Sequence, residues 1–244
     1  MLCACEPEYN VGDWNCGTAT PEGDSEPVEN PVEVPWTSSF DLGFCDYVLA
    51  QGFCYADEDA SYEIVDSPVR SGRTAAAFSL TTESGRSGTR CVREGVLPAD
   101  AIYGAWFWIP EKIEPRANWN LMHFQDSEPG TPFRYRWDVS LGISDDGDLS
   151  LHVLEFPTRE KFTPTVATTV PIGAWFHVEF RWLRADAPDG RVTLFQDGVP
   201  ILDLTDIDAS GFDFGQWHVG NLADDLEPAN STLYVDDVGI RRAP

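Results

Sequence analysis

Asp189-Gly190-Arg191-Val192-Thr193-Leu194-Phe195-Gln196-Asp197-Gly198-Val199-Pro200-Ile201-Leu202-Asp203-Leu204 is the stretch that decides the fold. On either side of Asp197-Gly198 apolar and polar residues alternate, and a period of two belongs to a strand with one buried face. Asp-Gly between two such runs is the strongest short-range hairpin signal, because its two-residue turn needs positive φ at both positions. Two further alternating runs flank it: Trp175 to Trp182 upstream, and Leu233-Tyr234-Val235-Asp236-Asp237-Val238-Gly239-Ile240 downstream.

Outward from this hairpin the pattern repeats. Candidate strands cover residues 62–65, 75–80, 89–94, 103–109, 120–125, 134–141, 149–155, 175–182, 191–196, 201–204, 216–220 and 233–240, most of them bounded by Gly, Pro, Asp or Asn. Asp145-Asp146-Gly147-Asp148 marks a second turn. No window of helical period runs beyond a couple of turns. Many short strands with this punctuation predict an all-β fold, two antiparallel sheets packed as a jelly-roll β-sandwich. The chain has 244 residues, with 9 Trp, 14 Phe and 7 Tyr, which suits one large sandwich with an ample core.

Residues 1–37 read differently. Up to Pro35 they hold eight acids, no base and five prolines, the composition of a disordered tether. The sandwich is expected at 38–244, and deleting residues 1–35 is expected to leave its stability nearly unchanged. Leu2-Cys3-Ala4-Cys5 resembles the end of a bacterial lipoprotein signal, in which small residues precede a lipidated cysteine, so Cys5 is the candidate membrane anchor. Six cysteines fit an oxidising compartment. Two of Cys45, Cys54 and Cys91 are the expected disulfide partners, with Cys16 a further candidate; spacing does not choose the pairing. These features point to the cell envelope or the extracellular space. A net charge of −25 disfavours nucleic acid as a partner.

The order of motifs from residue 40 to 242 carries a resemblance. It runs through a Ser71-Gly72-Arg73 turn, an Arg-rich strand, Tyr103-Gly104-Ala105-Trp106-Phe107-Trp108-Ile109-Pro110, Asn120-Leu121-Met122-His123-Phe124-Gln125, Gly173-Ala174-Trp175-Phe176-His177-Val178-Glu179 and the Asp-Gly hairpin. This progression resembles the concanavalin A-like lectin/glucanase superfamily. It is nearest to the heparin-lyase-type and alginate-lyase-type polysaccharide lyases, and similar also to laminin-G-type modules. The resemblance implies a polysaccharide partner held on one sheet, by binding alone or with β-elimination.

Elimination from a uronate needs Arg, Gln or Asn to neutralise the carboxylate, and Tyr or His to move the proton. Arg86, Arg90 and Glu94 are expected to share a face of the strand that sits where those lyases carry Arg-x-Glu-x-Arg, although Val92 takes the middle place. His123 and Gln125 share a face where the lyases carry Gln-x-His, in reversed order. Arg134, Arg136 and Asp138 are expected on the polar side of the next strand, with Tyr135 and Trp137 behind. The C-terminal Tyr-x-Lys-x-Gly-x-Tyr run is replaced by Gln216-Trp217-His218-Val219-Gly220-Asn221-Leu222, which has neither Tyr nor Lys. His123, His218 and Tyr135 are therefore the catalytic candidates, and Arg86, Arg90, Gln125, Arg134 and Arg136 the substrate-binding ones.

Asp236 and Asp237 are candidate ligands for a structural calcium ion, with simple strand termination as the alternative. No motif calls for a cofactor: there is no phosphate-binding glycine loop, no His-Glu-x-x-His and no Gly-x-Ser-x-Gly. Glu-x-Asp-x-x-Glu, the signature of jelly-roll glycosidases, is also missing. The altered C-terminal run makes an exported carbohydrate-recognition module the leading expectation. A uronate-cleaving lyase is the alternative, and a structural or adhesive envelope protein a third.

Overall fold

Along Trp175–Leu183 every second side chain, from Phe176 to Trp182, is buried and those between are half-exposed, as expected of a strand with one face on a core. The computed structural model describes Cys16 and residues 30–128, 130–166 and 168–244. Cys5 and most of the acidic segment lie outside the described residues. In chain order the elements are β1 (Trp36–Ser38), the helical turn α1 (Cys45–Val48), β2 (Gly52–Ala56), β3 (Ala60–Val65), β4 (Ala75–Thr81) and β5 (Ser87–Val96). Next come β6 (Asp100–Trp108), β7 (Glu114–Pro115), β8 (Trp119–Asp126), β9 (Arg134–Ile143), β10 (Leu149–Glu155) and β11 (Glu160–Phe162). The chain closes with β12 (Trp175–Leu183), β13 (Gly190–Gln196), β14 (Val199–Ile207), β15 (Phe214–Ala223), β16 (Leu226–Glu227) and β17 (Asn230–Arg242).

Two large antiparallel sheets form the sandwich, as the strand pattern predicts. One has eight strands in the order β14-β13-β12-β6-β17-β4-β3, with β1 added on β17. The other has seven, β11-β10-β9-β8-β15-β5-β2. Phe107, Phe176, Phe180 and Trp182 from the first sheet and Trp119, Phe124, Trp137 and Trp217 from the second fill the space between them. The deciding hairpin is β13–β14, where Gln196 pairs with Val199 and both Asp197 (φ 51°) and Gly198 (φ 78°) adopt left-handed backbone. That is the geometry a two-residue Asp-Gly turn supplies.

Packing onto the sandwich starts earlier than residue 38. Val32 is buried, its N–H donates to Val96 O at 2.9 Å, and Val96 N–H donates to Asn30 O at 3.0 Å. Trp36 is 7% exposed and lies on the Arg93 guanidinium, 4.4 Å from ring centre to Cζ. Arg93 is itself buried, and its loss of water pushes it down to about 10. Cys16 joins Cys45 at the start of α1, while Cys54 and Cys91 join as direct neighbours across β2 and β5. Cys54 and Cys91 are thus the pair drawn from the three expected cysteines, and Cys45 takes Cys16. Among the described residues no helix is long and apolar enough to cross a membrane.

Asp236 and Asp237 do not end their strand. β17 continues to Arg242, and the two residues sit at a bulge against β6 where Asp237 has φ 46°.

Truncating a buried Trp costs about 3–5 kcal/mol, and each kcal/mol shifts the midpoint of a domain this size by about 2–4 °C. Trp36→Ala is therefore expected to lower the melting temperature by about 6 °C or more in calorimetry. An unchanged midpoint would show that residues 30–38 only lie against the sandwich.

Candidate functional site

The outward face of the seven-stranded sheet holds a pocket of about 220 Å³. Its lining includes Tyr55 from β2, Arg90 from β5, His123 and Gln125 from β8, Tyr135 and Asp138 from β9 and His218 from β15, with Arg86, Asn118, Arg159 and Asp224 from the adjoining segments. Strand register places them there. His218 pairs with His123, His123 with Asp138, and Arg90 with Tyr55, and directly paired residues share a face. The alternate residues Trp217, Phe124 and Trp137 point the other way and anchor the same strands in the core.

His123 and Asp138 are both buried, with Nδ1 2.6 Å from Asp138 Oδ1. A carboxylate only accepts, so Nδ1 carries a proton and Nε2 is left as the basic nitrogen of the neutral ring. Gln125 Oε1 stands 3.4 Å from that Nε2. Gln125 Nε2 donates to Gln216 Oε1, and Gln216 Nε2 donates to Glu94. His218 Nε2 is 2.9 Å from the same Gln216 Oε1. Burial holds the His218 ring well below the usual imidazole range, with His123 and Arg90 adding to the effect.

Arg90 is 4% exposed, and its guanidinium donates to Asn120 Oδ1 at 2.6 Å while Nε has no hydrogen-bond partner. Tyr55 lies beside it; burial raises its phenol above the ordinary value, against a smaller opposing pull from Arg90. The pocket gathers three arginines (Arg86, Arg90, Arg159) against two aspartates (Asp138, Asp224), in a chain of net charge −25. Its local sign is the reverse of the protein's, and at ordinary salt a field reaches only about 8–10 Å.

Of the expected site residues, the pocket brings together Arg86, Arg90, His123, Gln125, Tyr135 and His218. Arg134 and Arg136 go elsewhere. The β8–β9 ladder shifts register between Phe124 and Gln125, so Phe124 pairs with Trp137 but Gln125 with Tyr135, and Arg136 is the extra residue. One inserted residue reverses the phase of everything beyond it. Tyr135 thereby faces the pocket. Arg134 donates to Asp126 Oδ1 at 2.9 and 3.1 Å, and Arg136 lies 3.5 Å from Asp126 Oδ2. Tyr55, Asn118 and Arg159 were not expected; no motif marks them, and only Tyr55's place opposite Arg90 explains its arrival.

Asp236 and Asp237 belong to the other sheet. Asp236 accepts the N–H groups of Arg70, Ser71 and Asp237, and Asp237 accepts the Ser71 hydroxyl. These oxygens are occupied in anchoring the loop before β4. Among the described residues no group of three or more His, Cys, Asp and Glu is arranged to hold a metal ion.

A family model described as polysaccharide lyase matches residues 37–239. The chain belongs to that polysaccharide lyase family. No curated protein matches its sequence. Solved structures similar to this family member include the endo-β-1,4-glucuronan lyase of the fungus Trichoderma reesei, 17% identical over 78% of this chain and 90% of that one, with a TM-score of 0.59. The PL-14 alginate lyase of Aplysia kurodai is 10% identical over 86% and 100%, with a TM-score of 0.58. Alginate lyase Aly36B, in complex with alginate trisaccharide, is 11% identical over 87% and 100%, also at 0.58. At these identities the likeness establishes the sandwich of this polysaccharide lyase family member, and its site rests on its own residues.

Two buried histidines link stability to pH. Burial pushes His152 on β10 down to about 4, with Lys161 adding to the effect, and lowers His218 as described. Both rings regain ordinary basicity, near 6.5, when the chain unfolds. The unfolded state then binds more protons between about 4 and 6.5, so this contribution is complete above about 6.5 and is lost as pH falls. The melting temperature is expected to drop between pH 7 and pH 5, and His152→Gln to reduce the drop; an equal drop in the variant would contradict the assignment.

Proposed function

We propose that this protein is a lyase that cleaves a uronate-containing polysaccharide by β-elimination in the pocket of the seven-stranded sheet. The observation that carries the reading is the meeting of the His123–Asp138 pair with Arg90 in one pocket. Family membership supports a lyase over the pure recognition module that the altered C-terminal run suggests. That run lacks Tyr and Lys, yet Tyr55 and Tyr135 bring two phenols to the same pocket from β2 and β9.

The chemistry assigns each group a task. A proton α to a carboxylate becomes removable when the charge building on that carboxylate is neutralised. Arg90 suits this because it is buried with an unused Nε–H, and a charge out of water is costly until an opposite charge meets it. Arg86 and Arg159 add exposed positive charge at the rim. His123 Nε2 takes the α-proton while Asp138 fixes the ring and stabilises the imidazolium that forms. The electron pair of the broken C–H bond becomes the new C=C bond, and the C–O bond to the β glycosidic oxygen breaks. Tyr135, whose ring centre is 4.9 Å from that of His123, hands its phenolic proton to the departing oxygen. A proton passed from His123 to Tyr135, directly or through water, restores both.

Elimination leaves a double bond conjugated with the carboxylate, so incubation with uronate polymers is expected to raise short-ultraviolet absorbance. His123→Ala should cut the rate by about 10²–10⁴, the usual contribution of a general acid or base. Arg90→Ala should raise KM at least about tenfold, since a charge-assisted hydrogen bond is worth about 1.5–3 kcal/mol. Binding of uronate oligomers with no absorbance rise would overturn the lyase reading in favour of the recognition module.

A further inference from the structure

Below the pocket, the relay of Glu94, Gln216, Gln125 and His123 has its polarity set at one end. An ionised carboxylate has no proton to give, so Gln216 must turn its Nε2 to Glu94. Its Oε1 then faces the opposite way and takes two donors, Gln125 Nε2–H and His218 Nε2–H. With its amide nitrogen committed, Gln125 turns Oε1 to His123 Nε2. Reversing either amide sets oxygen against oxygen somewhere along the line. Asp138 holds the far end as acceptor of the His123 Nδ1–H, so the line carries one acceptor-to-acceptor contact. It falls between Gln125 Oε1 and the bare His123 Nε2, the longest step at 3.4 Å, and becomes a hydrogen bond when that ring takes a second proton.

We propose that Glu94, outside the lining of the pocket, is a positioning residue: through Gln216 it holds His218 as the Nε2–H tautomer and aims Gln125 Oε1 at His123 Nε2. The imidazolium formed when His123 takes a proton then has an oxygen facing each N–H, Asp138 at Nδ1 and Gln125 at Nε2. His218 keeps its other nitrogen bare, and its Nδ1 is buried without a hydrogen-bond partner, as this polarity requires. The groups facing that ring are Tyr55 from β2, Arg90 from β5 and His123 from β8, two of which disfavour a second proton. If Glu94 loses its charge, both glutamines are free to turn over. Gln125 would then donate to His123 Nε2 and cover the lone pair that serves as base. The catalytic consequence rests on the lyase reading; the polarity of the relay does not.

The test is ¹H–¹⁵N NMR of the histidine side chains in the whole protein near neutral pH, beside the absorbance assay. Wild-type His218 is expected to carry its proton on Nε2 only. Glu94→Gln, nearly isosteric, is expected to introduce the Nδ1–H form and to lower kcat about tenfold or more, with KM little changed. A wild-type His218 protonated on Nδ1 overturns the proposal, and this spectrum decides even if the variant does not fold. A wild-type tautomer in folded Glu94→Gln overturns it equally. A shifted tautomer in a protein that cleaves no uronate polymer upholds the relay and removes the lyase reading instead.

Discussion

Everything at this site depends on β15 lying between β5 and β8 with a side-chain period of two. Trp217 and Val219 enter the core, which forces Gln216 and His218 onto the outward face. There Gln216 meets Glu94 on one side and Gln125 on the other, and His218 meets Val92 and His123. A slip of one residue would put two polar side chains between the sheets and a tryptophan in the pocket, so the core holds the register and the register holds the chemistry. Gly220 completes the constraint. Its φ is 147°, and a Cβ there would come within 2.5 Å of Thr89 O and 2.9 Å of Arg90 Cα. A side chain at that position would press on the backbone that carries Arg90.

Electrostatics then decides what the pocket can accept. A protein of net charge −25 repels polyanions at long range. Within the pocket, however, arginines outnumber aspartates, and Arg90 is buried without a charged partner at hydrogen-bonding distance among the described residues. A carboxylate is the electrostatic complement of that arrangement, as the proposed uronate substrate requires. Burial also separates the two histidines. His218 is kept neutral by lost hydration and nearby positive charge, while His123 has a carboxylate at 2.6 Å to receive its Nδ1–H. Two like side chains 5.2 Å apart, ring centre to ring centre, thus acquire different roles.

The sandwich was legible because alternation and the Asp197-Gly198 turn report a local geometry that tertiary packing does not override. Half of the site was legible for the same reason: Arg90, His123 and Gln125 lie on unbroken stretches of their strands, where counting by twos assigns the face. Arg134 and Arg136 lie away from the pocket because counting by twos fails across a bulge, and nothing in Arg134-Tyr135-Arg136-Trp137 announces one. Val32 and Trp36 stand in a stretch of tether-like composition, where two isolated apolar residues among acids and prolines show no period; their burial depends on Val96 and Arg93, which are remote in sequence. Tyr55 and Arg159 reach the pocket only through the sheet order, and a strand sequence does not contain its neighbours.

The central claim is that one uronate carboxylate binds Arg90 while its α-proton faces His123. The most direct measurement is a crystal structure of the His123→Ala variant with a uronate oligosaccharide. The account predicts a carboxylate within hydrogen-bonding distance of the Arg90 guanidinium, with the adjacent C–H directed at the space left by the imidazole. An oligosaccharide seated on the eight-stranded sheet, or one whose carboxylates all avoid Arg90, would contradict it.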